Sequence, residues 1–578
     1  MKLDIKSTGA TFTPRKLADF LAEKIINEFD FDSTSHELKI LDPACGDGEL
    51  LLSISKKLNT FGISKFKTIG FDSNGKYVAE SKKRLDLSSI QNKEIIQADF
   101  LQMSTGSDPQ LEFNFGKSKT GDLKSFVDII ISNPPYVRTQ ILGSKKAKLL
   151  AKKFKLKGRV DLYYPFLISM TKSLKTGGIL GVITSNRFLF TKSGESVRKF
   201  LIDNYEIIEV IDLGDTKLFD AAVLPAIFIG RKELKKTNGK LDKTKFLRIY
   251  EALNGSNRKQ FYIESVFDVL NVTKDGIYNT ATEHKKYKKI KEKIKKKKKK
   301  GETWTMLTND EAKWTKKIES NSEYTIGDLF KVRVGIKTTA DEVFIRKNWD
   351  ELGNEKPERI LLKELISQEN IDRWRTHPNC KMKVLYPHDF KDGKKVVINI
   401  NKYPKARKYL EKYQEKLKSR KYLIAAGRNW FEIWVPQNPS YWKKPKLVFP
   451  DISSKPRFFL DVCGSIVNGN CYWIVNENNE SIDPLLLIQG IANSNLMTKY
   501  HDLSFNNKLY SGRRRYFTQY VERYPFPKLD SIESQEIIQI VKELNIDSID
   551  STSIKVLEEE LEIKVANAYG VKPISNPG

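Results

Sequence analysis

The chain has 578 residues, 39% of them hydrophobic and 11% aromatic, which predicts two or three globular domains with buried cores. Lys and Arg outnumber Asp and Glu by 101 to 72, and the resulting charge of +29, with a pI near 9.5, favours a polyanionic partner such as nucleic acid. The sequence has no signal peptide, no uncharged run of about 18 residues and no CxxC pair among its four cysteines, so we expect no export, no membrane span and no metal site.

Between Leu38 and Lys232, short apolar runs alternate with longer amphipathic ones, as is typical of parallel α/β units. Seven runs are candidate strands: Leu38 to Leu41, Thr68 to Asp72, Glu94 to Ala98, Val127 to Ser132, Ile179 to Thr184, Ile207 to Leu213 and Ala226 to Gly230. Seven strands with intervening helices predict a doubly wound α/β sheet.

The first candidate strand runs into a glycine-containing loop, Asp42-Pro43-Ala44-Cys45-Gly46-Asp47-Gly48. Gly46 and Gly48 permit a tight turn and the close approach of a ligand to the backbone, with a helix starting behind them. The loop is neither the GxGxxG of dinucleotide sites nor the phosphate loop that ends in GK[ST].

Acidic residues follow the next two strands. Asp72 stands where a carboxylate typically binds the two ribose hydroxyls of a nucleoside ligand. Asp99 and Phe100 follow the third strand and offer a carboxylate for an adenine amine and a ring for the purine. The successive strand ends therefore predict a site for a ligand that contains a nucleoside.

The fourth strand ends in Asn133-Pro134-Pro135-Tyr136, because two prolines can continue neither a sheet nor a helix. The Asn133 side-chain oxygen and the Pro134 carbonyl could accept both hydrogens of an exocyclic amine while Tyr136 stacks on the ring. Accepting both hydrogens draws the nitrogen lone pair out of conjugation, so that it can attack an electrophilic methyl group. Taken alone, the tetrapeptide is equally compatible with a core strand that ends in prolines and a surface tyrosine.

The order of these motifs resembles the AdoMet-dependent amino-methyltransferases of DNA: Thr11-Phe12-Thr13-Pro14, the glycine loop, Asp72, Asp99 and then Asn-Pro-Pro-Tyr. Because a large region follows, the chain resembles their gamma subgroup, the TaqI-like adenine-N6 methyltransferases. The resemblance implies a class I methyltransferase sheet and S-adenosyl-L-methionine as the cofactor.

The same resemblance implies roles for individual residues. Cofactor contacts are expected from Thr11, Thr13 and Pro14 at the methionine end, from Asp42, Ala44 and Gly46 along the loop, from Asp72 at the ribose, and from Asp99 and Phe100 at the adenine. The catalytic motif would be Asn133, Pro134, Pro135 and Tyr136, which hold a flipped adenine. Phe219 resembles the second aromatic residue that stacks on that base, although a packed core ring is an equal alternative.

Residues 1–232 are thus the predicted catalytic domain, and the sequence changes in character after it. From about Lys232 to Gly301 it is rich in lysine and weakly periodic, and it ends in the run Lys295 to Lys300. We predict that residues 233–320 form a partly helical, solvated linker, because like charges repel one another. A contact between the lysine run and DNA phosphates stays open.

Residues 321–527 are predicted to form a second, mixed α+β domain that resembles the target-recognition domains of these enzymes. Its candidate DNA contacts, to phosphate or guanine, are Lys508, Arg513, Arg514 and Arg515. The cluster Arg428 to Trp434 mixes hydrogen-bond donors with aromatic rings, which core packing explains equally well. Residues 528–578 contain two amphipathic stretches, Glu533 to Leu544 and Ile554 to Tyr569, and are predicted to form a helical tail packed on this domain.

The resemblance implies a sequence-specific enzyme that methylates the N6 amine of an adenine flipped from double-stranded DNA. We expect a cytoplasmic monomer at the bacterial nucleoid, which protects DNA against a cognate restriction endonuclease on a separate chain. A nuclease fused to this chain is not expected, because there is no room before the first cofactor motif and no PD-(D/E)xK pattern after it.

Three alternatives remain at this point. An RNA adenine methyltransferase would use the same chemistry. A protein glutamine methyltransferase also presents an amide NH2 to this motif, but it does not explain a basic second domain. A non-catalytic DNA-binding scaffold would have no reason to keep Asn133 to Tyr136 intact.

Overall fold

The computed structural model describes residues 11–31, 36–88, 90, 92–104, 124–136, 144–154, 156, 161–219, 224–233, 244–252, 260–293, 303–376, 381–477, 481–505 and 512–574. The chain divides into two compact units, the first ending at Thr308 and the second beginning at Asn309.

The first unit is built on a single sheet of 11 strands in its described residues. The strands are β1 Leu38–Asp42, β2 Phe66–Asp72, β3 Lys93–Gln97, β4 Val127–Ser132, β5 Leu174–Ser185, β6 Tyr205–Asp212, β7 Pro225–Lys232, β8 Lys245–Glu251, β9 Gln260–Ile263, β10 Gly276–Thr280 and β11 Lys285–Lys293. Their order across the sheet is β3-β2-β1-β4-β5-β7-β6-β8-β11-β10-β9. Within the first seven, β7 is antiparallel to both of its neighbours and the other pairs are parallel. This arrangement confirms the predicted class I methyltransferase sheet.

Helices cover both faces of this sheet. They are α1 Arg15–Glu28, α2 Glu49–Thr60, α3 Gly75–Leu87, α4 Phe100–Met103, α5 Ser144–Lys153, α6 Tyr163–Ser173, α7 Arg187–Phe190, α8 Glu195–Asn204 and α9 Val266–Asn271. Successive residues of a strand point to opposite faces, so Ile129 and Ile131 pack in the core beside α1 and α2, whereas Ile130 packs in the core beside α6 and α8. Because β4 is buried on both faces, it reads as a continuous apolar run.

The predicted linker is wrong over its described residues, because β8 to β11 extend the sheet beyond β6. In β11, Tyr287 and Ile290 are buried although the strand is rich in lysine. Lys289 is itself buried, and its Nζ donates to the carbonyl oxygens of Val269, Leu270 and Val272 at 2.7, 2.9 and 2.6 Å, at the end of α9. Lysine content therefore misled the prediction. The run Lys295 to Lys300 lies outside the described residues.

The second unit is mixed α+β, as predicted. Its helices are α10 Asn309–Ser320, α11 Ile326–Leu329, α12 Asp341–Phe344, α13 Pro404–Glu411, α14 Gln414–Lys418, α15 Lys421–Ala425, α16 Asp483–Asn493, α17 Asn495–Phe505, α18 Thr518–Val521, α19 Ile532–Leu544 and α20 Ser551–Ala568. Its strands are β12 Tyr324–Thr325, β13 Arg333–Val334, β14 Ile345–Arg346, β15 Leu362–Ile366, β16 Met382–Leu385, β17 His388–Lys391, β18 Lys394–Val397, β19 Lys446–Pro450, β20 Ile452–Ser453, β21 Phe459–Asp461, β22 Ile466–Val467, β23 Cys471–Val475, β24 Arg514–Arg515 and β25 Pro525–Phe526.

Two four-stranded sheets, β13-β23-β19-β21 and β14-β16-β15-β22, form the centre of the second unit. The predicted C-terminal helices are α19 and α20, which pack with α16 in one hydrophobic core. They belong to the same compact unit as the two sheets, on which they were predicted to pack. Across the described residues, no helix is both long enough and apolar enough to cross a membrane.

The buried lysine of β11 provides a test of the extended sheet. Burial lowers the pKa of Lys289 to about 8, so the group is still protonated at pH 7 when it donates to the three carbonyls. Lys289→Met should lower the free energy of unfolding by about 1–3 kcal/mol, because buried acceptors lose their donor. Urea unfolding measures this loss, with Lys291→Met, exposed on the same strand, as the control that should change it by less than about 0.5 kcal/mol. Equal effects of the two substitutions would support a solvated linker instead.

Candidate active site

The glycine loop after β1 is tied to the end of β2 by Asp72. Asp72 Oδ2 accepts a hydrogen bond from Gly46 N at 3.1 Å, and its Oδ1 accepts one from Asn74 N at 2.8 Å. Gly46 and Gly48 have φ angles of 54° and 83°, and a Cβ on Gly48 would lie 2.5 Å from Ser81 Oγ. Asp72, the residue predicted to bind the ribose, and the predicted glycine loop therefore meet at one edge of the sheet.

Asp42 is a buried carboxylate at the start of this loop. Its Oδ1 accepts hydrogen bonds from Ser132 Oγ at 2.9 Å and Ala44 N at 3.1 Å. Its Oδ2 is buried and has no hydrogen-bond partner among the described residues. Burial, with smaller contributions from the charges of Asp72 and Asp47, raises the pKa of Asp42 to about 7. An unpaired carboxylate oxygen beside a glycine loop fits a ligand ammonium, so the residues present fit the methionine end of S-adenosyl-L-methionine.

Asp99 and Phe100 have local structural partners. Asp99 caps α4, because its Oδ1 accepts from Leu101 N at 3.0 Å and Gln102 N at 3.4 Å. Phe100 is 1% exposed, and its ring centroid lies 5.4 Å from that of Phe71. Their contact with the cofactor adenine stays a prediction.

The Asn133 carboxamide has a fixed orientation. Its Nδ2 donates to Thr13 Oγ1 at 3.0 Å and to the Thr11 carbonyl at 3.2 Å. Because a main-chain carbonyl can only accept, the amide nitrogen must face Thr11 and the oxygen must face away from it. That oxygen accepts a hydrogen bond of 2.5 Å from the Tyr136 hydroxyl. Four residues predicted from two distant motifs are thus brought together.

The Tyr136 hydroxyl occupies the acceptor that a substrate amine would need. Burial raises the pKa of Tyr136, so the phenol stays neutral and is the donor in this bond. An amine that binds Asn133 Oδ1 must therefore displace this hydroxyl. Pro134 is buried and Pro135 half-buried, whereas Pro14 begins α1 by accepting hydrogen bonds from Leu17 N and Ala18 N.

Two residues at this site were missed by the sequence reasoning. Phe12 is 45% exposed, and its ring would lie 3.6 Å from a Cβ on Gly46. It packs edge-to-face against Tyr77, with ring centroids 5.2 Å apart. The position of Phe12, an aromatic residue between Thr11 and Thr13, is the signal that could have identified Phe12.

Phe219 packs in the hydrophobic core and is 7% exposed. The loop before it is anchored by Asp212, whose Oδ1 accepts from Asn186 Nδ2 at 3.0 Å and Gly214 N at 3.1 Å. The packing favours the core-ring alternative for Phe219, and its stacking on a base stays a prediction. Asp220 to Val223 lie outside the described residues.

The three candidate arginines of the second unit differ in environment. Arg514 is 3% exposed, and its Nε and Nη2 bind both oxygens of Asp502 at 2.6 and 2.8 Å. Its Nη1 donates to the Ser454 carbonyl at 2.8 Å. Arg514 is therefore a structural side chain, which corrects the expectation that it contacts DNA.

The other DNA-contact candidates keep their predicted role as proposals. Arg515 is half-buried, with its Nη1 3.5 Å from Asp451 Oδ2 and its guanidinium over the ring of Phe517. Arg513 is exposed. Lys508 lies outside the described residues.

Both units of the chain resemble known restriction-modification proteins. Residues 49–219 match the Eco57I restriction-modification methylase family, and residues 391–526 match the TaqI-like C-terminal specificity domain. The chain is 44% identical over 577 residues to Type II methyltransferase M.BanIII of Aneurinibacillus aneurinilyticus, covering 99% of this chain and 98% of that one. It is 24% identical to Type II methyltransferase M.BstVI of Geobacillus stearothermophilus, over 96% of this chain and 98% of that one. The DrdV–DNA complex shares the fold, with a TM-score of 0.51 at 12% identity, over 95% of this chain and 59% of that one.

The raised pKa of Asp42 makes a prediction about stability. A raised pKa means that the folded state binds the proton more tightly, so the contribution of Asp42 to stability falls as the pH rises from about 4 through about 7. Asp42→Asn should therefore raise the free energy of unfolding of the cofactor-free chain at pH 8 by about 1 kcal/mol or more. It should also weaken S-adenosyl-L-methionine binding, because a neutral amide cannot form an ion pair with an ammonium group.

Urea unfolding of both chains at pH 8 and pH 4, with and without the cofactor, measures these effects. The gain from Asp42→Asn should be much smaller at pH 4, where the wild-type carboxyl is protonated in the folded state and is near its ordinary pKa of 3.8 in the unfolded chain. A stability change that is independent of pH would contradict a buried charge at Asp42.

The hydrogen bond between Asn133 and Thr13 makes a second prediction. Thr13→Val removes the Oγ1 acceptor and leaves the carboxamide nitrogen held by the Thr11 carbonyl alone, so kcat for methyl transfer should fall by roughly five- to ten-fold, as expected for a bond of about 1 kcal/mol. Thr13→Ser should restore the rate, and Thr273→Val, at an exposed position, should leave it unchanged. Steady-state kinetics separate the roles: a rise in KM for S-adenosyl-L-methionine at constant kcat would show that Thr13 only binds the cofactor.

Proposed function

This chain belongs to the type II restriction-modification methyltransferases, and on that premise we propose that it methylates the N6 amine of adenine in double-stranded DNA. Its cofactor motifs precede Asn-Pro-Pro-Tyr and its specificity domain follows, which is the gamma arrangement. The single observation that carries the choice of an amine is the Asn133 carboxamide, whose oxygen is oriented toward the space next to Tyr136.

S-adenosyl-L-methionine supplies an electrophilic methyl group when it is bound. In the proposed reaction, Asp42 and Asp72 hold the cofactor next to the glycine loop. Asn133 Oδ1 and the Pro134 carbonyl accept the two hydrogens of the target amine, and this localises the nitrogen lone pair on the side of the methyl donor. Tyr136 leaves its hydrogen bond with Asn133 and stacks on the target base, which has to be flipped out of the duplex to reach the site.

The cellular role follows from the relatives and the charge. Full-length similarity to type II methyltransferases supports protection of DNA against a cognate restriction endonuclease on a separate chain. The charge of +29 supports an enzyme of the cytoplasm that associates with the bacterial nucleoid. One catalytic motif and one specificity domain in a single chain support action as a monomer.

Methyl transfer to nucleic acid tests the proposal directly. The full chain is incubated with labelled S-adenosyl-L-methionine and unmethylated plasmid, and mass spectrometry identifies the modified nucleosides. We expect N6-methyladenine, and Asn133→Ala should reduce transfer by about a hundred-fold or more, because a group that acts in the transition state is lost. The exposed Asn271→Ala is the matched control and should leave transfer unchanged.

Other outcomes would overturn the proposal. If the product were methylated cytosine, the substrate base would be cytosine and not adenine. If RNA or protein were labelled and the plasmid were not, the substrate would not be DNA. If Asn133→Ala kept full methyl transfer and cofactor binding, the target amine would not bind at Asn133.

A further inference from the structure

A groove of about 480 Å³ opens in the second unit between the hairpin β17–β18 and the segment 428–438. Phe390 and Lys395 are directly opposite each other on the hairpin, so both side chains lie on the same face. Both are exposed, and Lys395 forms no ion pair with a described residue. Trp434 and Gln437 line the other wall.

The hairpin wall of the groove is closed by a tight turn and bonded to the other wall at its base. Its turn has Asp392 and Gly393 at φ angles of 49° and 73°, the left-handed pair that closes a two-residue hairpin. At the hairpin base, His388 Nε2 accepts a hydrogen bond from Ile433 N at 3.2 Å, which joins the two walls. Burial, assisted by the charges of Arg428 and Lys395, lowers the pKa of His388 to about 3, so the ring stays a neutral acceptor.

The second wall is anchored at three places. Arg428 Nη1 donates to the carbonyls of Ile433 and Trp434 at 3.1 and 2.5 Å, with its guanidinium 5.6 Å from the Trp434 ring centroid. Val435 exchanges both backbone hydrogen bonds with Lys337, at 2.9 and 3.0 Å. These bonds hold the next residues of the wall in place.

Gln437 has an unusual backbone conformation and a side-chain amide of fixed orientation. Its φ angle is 63°, a left-handed conformation that is uncommon for a residue other than glycine. Its Nε2 donates to the Val334 carbonyl at 2.7 Å. Because that carbonyl can only accept, it fixes the nitrogen end of the Gln437 amide, and the oxygen end is left to accept from a hydrogen-bond donor such as a base amine.

We propose that this groove is a base-reading DNA site, with Phe390, Lys395 and Gln437 in contact with the duplex and Arg428 and His388 as positioning residues. A two-stranded ribbon fits the major groove of DNA. Lys395 contacts a phosphate, Phe390 contacts a thymine methyl group or a sugar, and Gln437 Oε1 accepts a hydrogen bond from the amine of adenine or cytosine. The proposal rests on the proposed function, because it requires that the substrate is duplex DNA.

Two substitutions test the groove in the full chain, with duplex fragments that contain the methylated site mapped on plasmid. Lys395→Ala should weaken binding and should reduce the slope of log affinity against log salt by about 1, the signature of one lost phosphate contact. Lys418→Ala, exposed in the same unit, is the control and should leave the slope unchanged.

Gln437→Asn keeps a residue that tolerates the left-handed conformation but withdraws the carbonyl oxygen. It should lower the preference for the methylated site over other sequences by roughly ten-fold, and sequencing of modified plasmid should show methylation at related sites that differ at one position. Binding of S-adenosyl-L-methionine and the urea midpoint should stay at the wild-type values.

The outcomes separate the two proposals. If the wild-type chain labels no DNA, the proposed function is wrong. If it methylates DNA while Lys395→Ala keeps the wild-type salt slope and Gln437→Asn keeps the wild-type site preference, the groove proposal alone is overturned. Weakened binding to RNA in place of duplex DNA would also overturn it.

Discussion

The hydrogen bond of 2.9 Å from Ser132 Oγ to Asp42 Oδ1 joins the two halves of the candidate active site. Asp42 ends β1 and begins the glycine loop, whereas Ser132 ends β4 and directly precedes Asn133. β1 and β4 are neighbouring parallel strands, and both side chains are fully buried, so water does not compete for the bond. In the proposed reaction, the placement of the methyl donor relative to the amine would therefore depend on the register of the sheet more than on either loop.

The amine site is closed by its own hydrogen bonds. Asn133 Nδ2 is bound by Thr11 and Thr13, and its oxygen is bound by the Tyr136 hydroxyl. All of these groups are neutral, so each bond contributes only about 1 kcal/mol net and can be exchanged for a similar bond to substrate. In the proposed reaction this exchange would free the Tyr136 ring to stack on the base, so base binding and the movement of Tyr136 would be one event. The proposed chemistry needs no strongly basic side chain at the amine.

The sequence predicted the first seven strands because strands buried on both faces, such as β4, are continuous apolar runs, and it placed Asp72, Asp99 and Asn133 at the ends of successive strands. It failed where charge was equated with exposure. Lys289 was assigned to a solvated linker, although its ammonium binds three carbonyls at the end of α9. Arg514 was assigned to DNA together with Arg513, although its partner Asp502 lies on a separate helix. Such partners are set by tertiary packing, and spacing along the chain does not reveal them.

Charge and specificity are supplied by different groups in this protein. A charge of +29 attracts DNA of any sequence. Selectivity requires neutral groups with one allowed orientation, and two amides have it. Asn133 has its nitrogen fixed by the Thr11 carbonyl, and Gln437 has its nitrogen fixed by the Val334 carbonyl. In each amide the bound carbonyl fixes the nitrogen end and leaves the oxygen end to accept, so under the two proposals both units would present a carboxamide oxygen to amine hydrogens.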